Sequence, residues 1–292
     1  MKKQYLKWVI FVGLSLVWGS SFILMKLAMK HLTPTQVGAL RMLIAALFLL
    51  LIGYDRLREV SKKEWKYLVL IAISGTFIPT FLFTFAIQHI DSGIVAILNS
   101  FTPLNTLLIG LLFFHYRFTK RQVFGIFIGI LGTVLLVGKS AQLNPDDNYW
   151  YALLVLAATL GYAINVNVIK KYLSDLDALT IAVANFALVL IPALLVLIFT
   201  GFFDMPITSK PILIALGYVA VLAIVGTALA MIYFNKMVQI ASPLFASSVT
   251  YTIPIVALLW GLWDGEQISL IQIAAGAIIL LGVYIVNKKN RD

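Results

Sequence analysis

Two stretches of this sequence share a pattern of polar side chains followed by proline. Residues Gln88 to Pro103 read QHIDSGIVAILNSFTP and residues Gln239 to Pro254 read QIASPLFASSVTYTIP, so their end residues are matched at a separation of 151 positions. In each stretch an apolar run carries hydroxyl and amide groups before the proline. Interruptions of this kind, at corresponding places in two halves of a hydrophobic chain, are typical of the solute site of a membrane carrier.

By helical spacing Asn99 and Pro103 share a face in the first stretch, with Thr102 beside them, and Ser247, Thr250 and Pro254 share one in the second, with Tyr251 flanking them. The ones that we expect to line a solute pathway are Asn99, Thr102, Ser247, Thr250 and Tyr251. Proline leaves the carbonyl four residues earlier without its amide donor, and here those carbonyls belong to Asn99 and Thr250. Ser or Thr hydroxyls, water or a solute can satisfy them. Pro103 and Pro254 are therefore predicted hinges, and the alternative is a kinked, tightly packed helix pair.

Two cations fall inside predicted helices, Lys26 in the first and Arg41 in the second. A positive patch in a cavity would attract a carboxylate or a phosphate, which makes both residues candidate substrate contacts. In the alternative interpretation their long side chains reach the membrane interface. The second half has no cation at the corresponding positions, so any recognition of charge is asymmetric.

Five further candidates lie in other apolar segments: Trp18, Ser21, Phe81, Tyr162 and Asn165. An indole away from the interface requires a partner for its N–H, so Trp18 is expected to bond within the bundle. Amides in membrane-spanning helices are costly unless they bond across helices, so Asn165 and Asn185 should face the interior. Phe81 belongs to an aromatic row, and such rows more often serve packing than recognition.

Other kinds of site have little support. All twelve carboxylates lie in predicted loops, at helix ends or at the C-terminus, which disfavours proton-coupled exchange of organic cations. There is no cysteine, and the three histidines are far apart, so we expect no metal site. Motifs of intramembrane enzymes are absent, so we predict no catalytic residues, no enzyme activity and no cofactor.

Composition indicates the elements that position these residues. The chain is 61% hydrophobic and 12% charged, with a mean hydropathy of +0.98, which is too apolar for a soluble domain of 292 residues. Ten apolar runs are long enough to cross a bilayer. They lie near 8–28, 35–53, 67–86, 93–114, 122–138, 149–169, 178–200, 211–234, 243–263 and 268–286. The fold class is thus predicted to be an all-α membrane protein with ten transmembrane helices.

The predicted spans divide into two repeats of five, residues 1–140 and 141–292, which form one integrated membrane domain. Because five is odd, the second repeat enters the membrane from the opposite side, and the two repeats are inverted. Of the 22 lysines and arginines, 17 fall in segments on one side, and basic residues mark the cytoplasmic side. Both termini are therefore predicted to be cytoplasmic, and the positive charge gives no reason to expect binding of nucleic acid.

Several of these features together resemble the EamA-type ten-helix branch of the drug/metabolite transporter superfamily. They are WGSSF before Lys26, Arg41 early in the second span, the two runs to Pro103 and Pro254, and GEQISLIQIAAGAIILLG from Gly265. The resemblance implies basket-like inverted repeats with a cavity lined by the first, third, fourth, sixth, eighth and ninth spans. It also implies secondary transport, often export, of amino acids or related metabolites. The family often has Glu at the end of the fourth span, and His115 stands at or near that place here. Glu266 stands at the corresponding place in the second half.

The resulting hypothesis is a multi-pass plasma-membrane carrier, in a bacterium the cell inner membrane, for a zwitterionic or anionic metabolite. A lipid or lipid-linked sugar flippase and a non-transporting membrane sensor or scaffold are the alternatives. The expected partners are a small-molecule substrate and membrane lipids. A GxxxG pair, Gly125 and Gly129, indicates close helix contact within one bundle or between subunits, so a monomer or a weak homo-oligomer fits.

Overall fold

The computed structural model describes residues 3–90, 95–96, 98–115, 119–143, 149–263 and 269–287. The described residues form helices and contain no strand. The α-helices are α1 (Lys3–Ala28), α2 (Pro34–Gly53), α3 (Lys62–Ala72), α4 (Ile78–His89), α5 (Thr102–Phe114), α6 (Lys120–Leu143), α7 (Ala152–Tyr172), α8 (Ala178–Phe199), α9 (Lys210–Ala223), α10 (Ala230–Ile240), α11 (Pro243–Ser247), α12 (Ile253–Trp263) and α13 (Leu270–Asn287). Short 3₁₀ segments lie at Tyr54–Glu59, Asn99–Phe101, Tyr149–Tyr151, Phe202–Asp204 and Ser248–Tyr251. Two π-helical segments lie at Ile73–Phe77 and Ile224–Leu229.

Six helical segments in the described residues are long and apolar enough to cross a membrane. They are Tyr5–Ala28, Pro34–Glu59, Lys62–His89, Ala152–Tyr172, Ala178–Phe199 and Lys210–Ile240, and shorter apolar helices occur at Asn99–Phe114, Pro243–Ala257 and Ile273–Val286. Large apolar side chains such as Leu51 and Phe199, each 85% exposed, cover the outside of the bundle. This supports a multi-pass membrane protein. Ten crossings and the inverted arrangement of the repeats stay predictions.

Two of the long helical segments contain π-helical turns, within the spans predicted near 67–86 and 211–234. The segment Ile73–Phe77 joins α3 to α4, and Ile224–Leu229 joins α9 to α10. Each contains a Gly-Thr pair, and the two pairs, at 75–76 and 226–227, are 151 positions apart. A π turn adds a residue to the helix and changes which side chains face inward.

Helix α2 begins with a complete cap that fixes its start. The Thr33 hydroxyl accepts a hydrogen bond from the Gln36 amide at 3.2 Å, and the Gln36 side chain accepts one from the Thr33 amide at 2.9 Å. Helix α2 packs along α8 through small residues, among them Ala45 and Ala182, both fully buried. This contact fixes the position of α2, on which Arg41 lies about 10 Å along the axis from the first residue, at 1.5 Å per residue.

The GxxxG pair lies inside the bundle. A Cβ built on Gly125 would lie 3.0 Å from the carbonyl oxygen of Gly282, and one built on Gly282 would lie 2.6 Å from the amide of Gly129. Helices α6 and α13 therefore approach backbone to backbone, as small residues permit. The close contact predicted from these glycines is confirmed, and it is a contact between helices of the same chain.

Candidate functional site

The two repeated stretches meet at their 3₁₀ segments, Asn99–Phe101 and Ser248–Tyr251, which pack against each other. The Ser100 hydroxyl donates a hydrogen bond to the Thr250 carbonyl at 3.1 Å. The Thr102 hydroxyl donates one to the Asn99 carbonyl at 2.7 Å. These are the two carbonyls that lose their amide donors to proline. The prediction that they require other donors is confirmed: each accepts a hydroxyl side chain, and the Asn99 carbonyl also accepts the backbone N–H of Thr102.

A cavity lies beside this contact and leaves about 110 Å³ for the centres of water-sized molecules. The cavity therefore has room for several waters or a small organic solute. The structure brings nine of the twelve predicted site residues into its lining. They are Trp18, Ser21, Arg41, Asn99, Thr102, Tyr162, Asn165, Ser247 and Thr250. Residues from both halves of the chain thus surround one space.

Arg41 is the one charged residue among the described residues that line the cavity. Its Nε donates to the Thr227 hydroxyl at 2.6 Å, and that hydroxyl donates to the Leu222 carbonyl at 3.0 Å. A terminal nitrogen approaches the Met25 sulfur at 3.9 Å, which is a weak contact. Within the described part of the chain, Arg41 has no ion pair with a carboxylate. The guanidinium is held in place by hydroxyl and thioether groups that leave its charge uncompensated.

A second bond mirrors the contact of Arg41 at the other π-helical segment. The Asn185 amide nitrogen on α8 donates to the Thr76 hydroxyl at 2.8 Å. Thr76 and Thr227 occupy matching places in the two π segments, and Asn185 is one of the positions that correspond to Arg41. Each half therefore sends one polar side chain to the π segment of the other half, a cation in one direction and a neutral amide in the other.

Trp18 has the partner that its position requires. The indole Nε1 donates to the Gly226 carbonyl at 3.1 Å, inside the π segment. In a π turn the regular hydrogen-bond ladder is disturbed, so a side-chain donor can satisfy a carbonyl there. The predicted hydrogen bond within the bundle is confirmed. It connects α1 to the same π segment that Arg41 contacts through Thr227.

Asn165 lines the cavity with an amide that has no hydrogen-bond partner at either end. The residue is 2% exposed and packs against Gly75, where an added Cβ would lie 2.2 Å from the amide nitrogen. Asn185 is 1% exposed, so both asparagines face the interior as predicted. A buried amide without partners is rare, because each unpaired polar atom costs roughly 1–3 kcal/mol. Asn165 thus places an unsatisfied amide at the wall of the cavity.

Three predicted site residues lie outside the cavity lining. Lys26 is exposed on α1, one position beyond the buried Met25. Phe81 packs edge to face on Phe77 at 5.1 Å between ring centres. Tyr251 is fully buried with its ring against Gly129. The predicted hinge prolines lie in the first turns of α5 and α12, directly after the 3₁₀ segments.

Several lining residues were missed by sequence reasoning. They include Phe22, Met25, Thr76, Phe83, Phe186 and Thr227. Two signals could have found some of them. Trp18, Ser21, Phe22 and Met25 form an i, i+3, i+4, i+7 stripe that predicts one helix face. Thr76 and Thr227 are separated by the same 151 positions as the ends of the repeated stretches. The lining also includes residues of α2 and α8, which are the second and seventh predicted spans, in addition to the six spans that the resemblance implied.

Comparison with known proteins assigns the chain to a family. The model of the EamA-like transporter family matches residues 6–138 and 149–288, which together make up most of the chain. The chain belongs to the EamA-like transporter family. It is therefore a membrane transporter, and the resemblance inferred from its motifs is confirmed.

Relatives of this EamA-family chain are similar over nearly their whole lengths. An uncharacterized transporter of Archaeoglobus fulgidus is 25% identical, over 97% of this chain and 99% of its own length. The uncharacterized inner membrane transporter YedA of Escherichia coli K12 is 26% identical, over 94% of this chain and 88% of its own. A crystal structure with 18% identity superposes with a TM-score of 0.73 and covers 96% of this chain and 95% of its own. At that identity the likeness shows a shared fold.

Proposed function

We propose that this EamA-family protein is a secondary active transporter, an exporter, of small organic metabolites such as amino acids, and that it works by alternating access. The observation that carries the proposal is the cavity with polar contacts from both halves, beside the contact of the two 3₁₀ segments. Solute sites of carriers built from repeats lie at the repeat interface, next to interrupted helices. The separate family matches on residues 6–138 and 149–288 support a chain made of two such units.

The polar contacts between the halves suit a rearrangement. Hydrogen bonds that cross from one half to the other near the cavity include Ser100 to Thr250, Arg41 to Thr227, Asn185 to Thr76 and Trp18 to Gly226. A hydrogen bond contributes on the order of 1 kcal/mol net, or a little more when one partner is charged, so such bonds can be exchanged at modest cost. Alternating access then consists of the two inverted halves rocking about the 3₁₀ segments.

Transport is tested with purified protein in liposomes that are loaded with pooled amino acids, nucleosides and organic acids. Accelerated efflux of at least one solute, relative to liposomes without protein, is the expected result. Lipid scrambling without any solute flux would favour a lipid or lipid-linked sugar flippase instead. Neither flux nor scrambling would favour a sensor or scaffold. Both of these outcomes contradict the proposal.

The water access of the cavity gives a second prediction. Because the chain has no cysteine, single cysteines can be introduced without background labelling. We expect Asn99→Cys, Thr102→Cys, Ser247→Cys and Thr250→Cys to react with a water-soluble thiol reagent and a transported solute to slow the reaction. Ala45→Cys is the matched control, since Ala45 is fully buried and lies outside the cavity lining. If the four cavity cysteines react no faster than this control, the cavity is not a solute pathway.

A further inference from the structure

The Arg41 guanidinium has donors to spare on the side away from Thr227. It carries five N–H groups, and in the described residues one of them bonds at ordinary distance, from Nε to the Thr227 hydroxyl at 2.6 Å. That bond fixes the orientation of the planar group. The two terminal nitrogens lack an oxygen partner within the described part of the chain, apart from the long contact to the Met25 sulfur. Paired guanidinium nitrogens of this kind match the two oxygens of a carboxylate.

Charge balance decides which solutes suit this cavity. Among the described lining residues there is one positive group and no carboxylate. An unpaired cation surrounded by protein and lipid is costly, and a partner of opposite charge relieves that cost. A solute with one negative charge neutralises Arg41. A zwitterion brings an additional ammonium that has no acidic partner among these residues, and an organic cation is repelled.

The remaining lining indicates the body of the solute. Aromatic rings of Trp18, Phe22, Phe83, Phe186 and Phe234 surround the cavity. Phe83 stacks on Tyr162 with ring centres 5.7 Å apart, and Trp18 packs on Phe234 at 5.2 Å. Aromatic walls bind apolar and aromatic groups through buried area and ring contacts. A carboxylate on a short hydrophilic chain would leave most of this surface without a matching partner.

The unpartnered amide of Asn165 adds a second polar contact in the same cavity. An amide offers a donor and an acceptor, and both ends of this one lack partners within the described residues. Its nitrogen can therefore donate a hydrogen bond to a carboxylate oxygen. With a polar substituent of the solute, the amide can act as donor or as acceptor. Arg41 and Asn165 come from different halves of the chain, so one solute that binds both would connect them.

We propose that the cavity binds a small organic monocarboxylate with an apolar, aromatic-sized body, through Arg41 and Asn165. The proposal rests on the proposed transport function and narrows its substrate class. It places net monoanions ahead of zwitterionic amino acids of the same size. Binding would draw the guanidinium toward the carboxylate and weaken its bond to Thr227, so occupancy of the site is coupled to the π segment at Ile224–Leu229.

The test uses four probes that share a phenyl body and differ in charge: 3-phenylpropionate, phenylalanine, 3-phenylpropanamide and phenethylamine. Binding to the purified full-length protein is measured by calorimetry, and flux by counterflow in liposomes. We expect 3-phenylpropionate to bind at least tenfold more tightly than phenylalanine or the amide, and phenethylamine to bind weakest. Equal or tighter binding of phenylalanine, or no binding of any probe, overturns the proposal.

Variants separate charge recognition from a structural role. Arg41→Gln should remove the preference for 3-phenylpropionate over 3-phenylpropanamide, a loss of about tenfold, while binding of the amide persists. Lys30→Gln is the matched control, because it removes an exposed cation in the turn that follows α1 and should leave the preference unchanged. If Arg41→Gln weakens the acid and the amide equally, the residue is structural and the proposal is wrong.

Failure of the ligand class and failure of the transport function give different results. Selective binding of the carboxylate without flux of any solute would support the ligand class and contradict transport. Flux of phenylalanine or of the amide, without a preference for the carboxylate, would support transport and overturn the ligand class.

Discussion

Gly161→Ala is expected to prevent this protein from accumulating in a folded, monodisperse form. A Cβ at this position of α7 would lie 2.0 Å from the carbonyl oxygen of Ser74, at the contact with the π segment. Carbon and oxygen atoms cannot approach so closely, and the opposing atom belongs to the backbone, so a whole helix must move. Overpacking of a core costs about 1–3 kcal/mol even where side chains can adjust. We expect a loss at or above the top of that range.

The measurement is the thermal stability of the detergent-solubilised protein by fluorescence-detected gel filtration. Gly217→Ala is the control, because a Cβ at this position of α9 meets no atom within 4 Å. Alanine favours helix over glycine by about 1 kcal/mol, so the control should melt at the wild-type temperature or above it. A Gly161→Ala protein as stable as the control would show that α7 and the π segment are not in close contact.

Length and hydropathy were sufficient to predict most of the helices. In lipid a membrane-spanning chain must satisfy its own backbone hydrogen bonds, so a long apolar run forms a helix. The positions of the prolines predicted which carbonyls need another donor, because proline has no amide hydrogen and this follows from its covalent structure alone. They identified Asn99 and Thr250 without any tertiary information. The identity of the donor at Thr250 could not be predicted, since the Ser100 hydroxyl comes from the other half of the chain.

Helix phase explains why the sequence did not separate Arg41 from Lys26. Both are cations inside apolar helices, and depth along the helix gives no direction around its axis. Met25 lies on the cavity stripe with Trp18, and Lys26 is about 100° further around the helix, which turns its side chain out of the lining. The stripe was visible in the sequence, but its inward direction is set by packing against other helices.

The π segments could not be predicted from local propensity. A π turn and an α turn use the same residues and differ by one in the spacing of their hydrogen bonds. Here the turn at Gly75 accommodates Asn165 from α7, and the turn at Gly226 places its carbonyl beside the indole of Trp18. Both partners are distant in sequence. The matched Gly-Thr pairs were the available sign, and only the structure gives them a role.

The prolines are the best test of motion in this protein. We expect the double variant Pro103→Ala, Pro254→Ala to retain ligand binding and to transport about 30-fold more slowly than the wild type. Alanine at 103 and 254 supplies the α-helical amide donors, four residues after Asn99 and Thr250, that proline lacks, so continuous α-helix competes with the 3₁₀ segments. If this adds about 2 kcal/mol to the barrier between the two access states, the rate falls by that factor. Counterflow and calorimetry on the same preparation measure both quantities.

Pro192→Ala provides the matched control, because Pro192 lies inside α8, is exposed and is not part of the cavity lining. Its removal should preserve or raise stability and leave transport close to wild type. Melting temperature distinguishes the mechanisms, since a straightened hinge predicts slow transport by a protein that is at least as stable as the wild type. Slow transport by a less stable double variant would indicate damage to packing, and wild-type transport would mean that the halves do not rock about these two prolines.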